Sequence, residues 1–130
     1  MYIDKIDAIV SIFGDGYYIA KEHIPEELKR QGMFNVIEYE GDQKIDFIIR
    51  KTTPFHTGEF SRRINTNFYG FDMWVTTIED LIISKLIWIQ QLQSDTQIRD
   101  ISNLKNSGVV DSGYINKWIK ELKLNTFGIW

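Results

Sequence analysis

At 130 residues the chain has the size of one domain, and it can bury about two-thirds of its unfolded surface without covalent staples. Its apolar (43%) and charged (25%) fractions are ordinary for a globular protein, and the lack of cysteine excludes a disulfide scaffold, a thiolate zinc site and a cysteine nucleophile. A net charge of −3 speaks against a free-standing nucleic-acid binder; with no basic-then-apolar leader and no apolar run long enough to span a bilayer, a cytoplasmic protein without a membrane partner is expected.

Ile3, Ile6, Ile9, Val10 and Phe13 recur at helical spacing, which predicts a helix over Ile3 to Phe13, stopped at Gly14. Tyr17 to Ile19 suits a short strand. Pro25 opens a short helix through Gln31, with Glu26 and Glu27 in its first turn and Lys29 and Arg30 in its last, an order that suits the helix dipole. Strands over Phe34 to Tyr39 and Lys44 to Arg50 flank Gly41-Asp42, a hairpin turn signal. Pro54 to Arg63 reads as a helix. Phe68 to Val75 contains Tyr69-Gly70 and the strand-like Met73-Trp74-Val75. Thr77 can cap a helix over Ile78 to Leu92, and further helices are expected over Gln97 to Asn106 and Ser112 to Leu122. The layout is a single α+β domain over residues 1–130: a small mixed sheet within 1–76, then a helical half over 77–130.

With Gly41-Asp42 as the two turn residues, Val36 lies opposite Phe47 and Ile37 opposite Asp46. One face then carries Phe34, Val36, Ile45, Phe47 and Ile49 and must face a core, while Asp46 sits mid-strand on the other, mixed face. Aspartate is depleted in strands. Asp46 is either an exposed charge paired with Lys44 or Arg50, or a metal or acid–base carboxylate. Lys85 has Leu81, Ile82, Trp88 and Ile89 one turn away, so it must snorkel to water or meet an acid. Asp100 is a helix-surface charge or that acid. His23 and His56 lack metal-ligand spacing and read as surface residues; Trp74, Trp88, Trp118 and Trp130 read as packing residues.

Phe34-Asn35-Val36-Ile37 followed by Lys44-Ile45-Asp46-Phe47 resembles the second half of the nucleotidyltransferase fold, in a prokaryotic group related to abortive-infection toxins of toxin–antitoxin systems. The resemblance runs on through Pro54-Phe55, Glu59-Phe60, Arg62-Arg63, Trp74-Val75, Glu79 to Leu86 and Trp88. It ends with Gln97 to Ile101 and Tyr114 to Trp118. In that family an Asp-x-Asp pair and a third carboxylate hold magnesium, and a Gly-Ser at a helix start cradles the phosphates of a nucleoside triphosphate. The resemblance makes Asp46 the third carboxylate, Lys85 a phosphate-contacting lysine and Asp100 part of an Arg-Asp motif.

The chain contains neither a Gly-Ser dipeptide nor an Asp-x-Asp. In relatives both precede the segment that Asp4 to Phe13 resembles, so the protein is expected to be truncated at its front and catalytically incomplete. Its ancestral chemistry would be magnesium-dependent transfer of a nucleoside monophosphate to a hydroxyl, with no tightly bound cofactor left. The alternative is a binding or regulatory module that kept the fold. A sheet lacking the Asp-x-Asp strand has an open edge, which predicts a two-fold homodimer through hairpin edges or N-terminal helices, or a partner chain that supplies the missing motifs.

Overall fold

The computed structural model describes residues 5–130, in two compact units that divide between Thr52 and Thr53. The α+β class holds, with two small antiparallel sheets in place of one mixed sheet.

The first unit contains α1 (Ile6–Ile12), β1 (Tyr17–Ile19), a 3-10 turn (Lys21–His23), α2 (Ile24–Arg30), β2 (Met33–Glu38) and β3 (Lys44–Ile48). Ile3 and Asp4 of the expected first helix lie outside the described residues. The strands are ordered β1-β2-β3, so β2 is paired along both edges. β1 covers one edge of the hairpin through Tyr17 to Ile19, while the outer edge of β3 has no partner strand among the described residues.

The β2–β3 register differs from the expected one by two residues: Val36 lies opposite Ile45 and Asn35 opposite Asp46. Neither Gly41 nor Asp42 adopts the positive φ that a two-residue hairpin turn demands. Instead the Glu38 N–H donates to the Gln43 carbonyl at 3.0 Å and closes a longer loop. A slip of two leaves every side chain on its expected face, because strand side chains alternate with period two, but Ile45, expected to face the core, is 43% exposed. Phe34 and Phe47 accordingly stack across the strands at 4.9 Å, and Phe34 shares a buried core with Ile6 and Ile24.

Glu27 ties α2 to this sheet. Its Oε2 accepts from the Met33 N–H at 3.0 Å and from Arg30 Nε at 2.9 Å. The intervening Gln31 takes a left-handed φ of 53°, and a Cβ at Gly32 would stand 2.0 Å from that same Glu27 oxygen. Only glycine lets the carboxylate approach without displacement.

The second unit contains α3 (Pro54–Arg62), β4 (Ile64–Phe68), β5 (Phe71–Val75), α4 (Ile78–Ile89), α5 (Asp95–Asn106) and α6 (Ser112–Glu121). Phe55, Ile82, Ile83, Leu86, Ile89, Ile101 and Ile115 form its core, bordered by Trp118, Trp130 and Tyr114. Trp118 and Trp130 pack as expected, whereas Trp74 and Trp88 are largely exposed. The strand β4 was not anticipated. Its Asn65 and Asn67 weaken a strand signal, yet Tyr69 (φ 49°) and Gly70 (φ 84°) make a two-residue turn of the kind a hairpin favours. Asn67 fixes that turn by accepting from the Gly70 N–H at 3.1 Å.

Phe55 is fully buried and meets Trp118 edge-on at 5.3 Å. Phe55→Ala is expected to lower stability by about 3–5 kcal/mol, whereas Trp88→Ala at the exposed Trp88 should cost under about 1 kcal/mol. Urea melts of the two variants check the contrast.

Candidate functional site

The polar side chains of the second unit converge along α4. Helix periodicity sets Asp80 and Ser84 one turn apart, with Lys85 beside Ser84. Thr77 caps the helix, its Oγ1 accepting from the Asp80 N–H at 3.1 Å and donating to Asp80 Oδ2 at 2.8 Å. The Asp80 side chain has no exposed surface. Arg62 Nε, from α3, donates to Oδ2 at 3.0 Å, and the Tyr114 hydroxyl, from α6, donates to Oδ1 at 2.7 Å. The Arg62 guanidinium also lies 4.0 Å over the Tyr114 ring.

These contacts set the protonation of the groups around Asp80. Burial, helped by the hydrogen bond to Asp80, pushes the Tyr114 phenol up to about 12. Burial works against the Arg62 charge, but the bond to Asp80 and the attraction of its carboxylate outweigh it and hold Arg62 above its ordinary value.

Beside this network is Glu59 of α3, half-buried. Its Oε1 accepts from Ser84 Oγ at 2.8 Å and from Thr76 Oγ1 at 3.5 Å. Burial raises its carboxyl, the nearby Asp80 adds to the rise, and the two hydroxyls oppose it.

On the other side of Ser84, Lys85 Nζ donates to Gln97 Oε1 at 2.8 Å and to Asp100 Oδ2 at 2.9 Å. Of the alternatives open for Lys85 and Asp100, the arrangement observed is the ion pair, with the lysine side chain only 19% exposed. The sequence reading named both residues. It missed Asp80, Glu59, Arg62 and Tyr114, although Asp80 sits three residues before Ile83 on the buried stripe of α4, which marks it as a carboxylate directed inward.

Asp46 belongs to the first unit. It lies on the outer strand of that sheet, opposite Asn35, with its carboxylate 3.3 Å from Lys44 Nζ. Charges on such a strand discourage pairing with another chain. No group of three or more His, Cys, Asp or Glu side chains arranged to hold a metal occurs among the described residues. The first unit also has an open groove of about 320 Å³, lined by Val10, Phe13, Tyr17, Ile19 and Tyr39 with Gly14 and Asp15. No helix among the described residues is long and apolar enough to cross a membrane.

Compared with protein-family models, curated proteins and solved structures, the chain matches none.

Two expected outcomes follow from these environments. Glu59→Gln keeps an oxygen for Ser84 and Thr76 but cannot ionise. A carboxyl raised on folding contributes stability that is complete below its unfolded value and is lost as pH climbs through its folded value. The variant should therefore be more stable than the parent at pH 7, and the difference should vanish below about pH 4. Urea melts at both pH values test this, and a variant less stable at pH 7 would contradict it. Asp46→Asn removes one exposed pairing and should change stability by no more than about 0.5 kcal/mol, read in the same melts.

Proposed function

We propose that this protein is a catalytically incomplete relative of the nucleotidyltransferase superfamily that acts as a binding or regulatory module, of the toxin–antitoxin-like kind the resemblance suggests. The observation that carries the reading is the engagement of Lys85. A lysine poised for a triphosphate needs an ammonium open to an incoming anion, and this one is shared between Asp100 and Gln97 in a largely buried position. A phosphate would have to displace a carboxylate already in place. Magnesium and a nucleoside triphosphate are then ancestral ligands, and what the module binds is another protein chain, its own copy or a partner. A cytoplasmic setting accords with the absence of cysteine from the sequence.

Incubation with each labelled nucleoside triphosphate and magnesium tests the proposal. No labelled product or acceptor is expected. Labelling that Asp46→Asn or Asp100→Asn abolishes would overturn the reading and restore a working transferase.

A further inference from the structure

The β4–β5 hairpin has two unlike faces. Its register pairs Ile64 with Val75, Thr66 with Met73 and Phe68 with Phe71 on one side, and Asn65 with Trp74 and Asn67 with Asp72 on the other. The first side carries no charge, yet it lies open: Ile64, Phe68, Phe71, Met73 and Val75 are 52, 56, 72, 37 and 37% exposed. A two-stranded sheet has little stability of its own in water and draws it from whatever covers its apolar face.

We propose that this face is the contact between two copies of the chain, related by a two-fold axis that passes near Thr66 and Met73. Shape supports a copy as the occupant. The turn end presents two phenylalanines and the base presents two β-branched residues. Antiparallel stacking about the central pair sets each Phe68–Phe71 pair over the partner's smaller Ile64–Val75 pair, so bulk meets space at both ends. Charge supports it too. Copies that each carry −3 repel across most surfaces, but this one brings no like charges together.

Area sets the strength. At roughly 150–250 Å² for a fully exposed large side chain, the five residues offer on the order of 500 Å². Two copies would bury about 1,000 Å², the lower bound for a specific interface. The dimer is therefore reversible, and an isologous contact of this kind closes without leaving a surface for a third copy. The inference rests on the hairpin alone and stands or falls separately from the fate of nucleotide chemistry. It also differs from a dimer built on the edges of the first sheet.

The test is sedimentation equilibrium of the full chain from about 1 to 300 μM, together with engineered cysteines, which have no native thiol to compete with them. Wild type should shift with concentration from 15.3 kDa toward twice that mass. Phe71→Glu, at an exposed position, should weaken association at least about tenfold, since the partner's apolar face must then accept a charge. Asn65→Lys, on the opposite face, should leave it unchanged. Under mild oxidation Thr66→Cys should form a cross-linked dimer and Asn65→Cys should not. A wild-type monomer throughout the range would overturn the proposal. So would a dimer that tolerates Phe71→Glu and fails to cross-link through residue 66, because it would lie on another surface. Circular dichroism of each variant separates lost association from lost folding; if Phe71→Glu is unfolded, the cysteine pair decides the question.

Discussion

A carboxylate taken out of water must recover from the protein the hydrogen bonds that hydration supplied. Asp80 does so with three donors from different parts of the sequence: the hydroxyl of its own cap residue Thr77, the guanidinium of Arg62 on α3 and the phenol of Tyr114 on α6. Because one fully buried side chain accepts all of them, the placement of three helices becomes a single condition. Replacing the set by well-packed apolar residues could leave stability unchanged or raise it. Removing one partner alone strands a charge, and that asymmetry makes the network specific. The apolar core of Ile82, Ile83, Leu86, Ile101 and Ile115 supplies the bulk of the driving force, and the hydrogen bonds to Asp80 add a directional constraint to it.

Glu59 and Lys85 flank that fixed point on opposite sides of Ser84. Glu59 leans on Ser84 and Thr76, and Lys85 on Asp100 and Gln97. The row of polar side chains along α4 is thus closed upon itself, each group answered by a neighbour from another helix. A surface organised in this way resembles the interior wiring of a scaffold more than the open floor of a cleft. Several of the unit's uncovered apolar side chains lie instead on the neighbouring hairpin.

Much of the architecture was legible because its signals are local. Thr77 as a cap, Pro25 and Pro54 at helix starts, and the apolar spacing of the three C-terminal helices all translate into elements with boundaries within a few residues of those expected. The core face of the first hairpin was legible even though its register was not, since alternation survives a shift of two. The turn itself was misjudged because Gly41-Asp42 signals a type of turn without compelling it, and a longer loop satisfied the same backbone groups. β4 escaped notice because its two asparagines serve the turn and the solvent face, a role that emerges only once its partner strand is in place. Lys85 could be named because a lysine in an apolar helix must reach water or meet an acid, and Asp100 because it was a candidate for that acid as well as part of the resembled Arg-Asp motif. Asp80 was passed over because an acid in the first turn of a helix has a sufficient local explanation in the dipole, although its place on the apolar stripe also pointed inward.

The spacing of the contacts along the chain also bears on the order in which they form. Each sheet is closed by neighbours in sequence: β2 with β3, β4 with β5. Such hairpins and short helices form within microseconds, because little loop entropy is lost in closing them. The bonds to Asp80 are of another kind, reaching 18 residues back to Arg62 and 34 forward to Tyr114. Without Tyr114 the carboxylate lacks one of its three donors, so its full dehydration depends on that long-range contact. Interactions made after the folding barrier retard escape from the native state and leave the rate of reaching it almost untouched. If its bonds close after that barrier, the Asp80 network acts as a latch, setting how long the second unit stays folded and not how quickly it gets there.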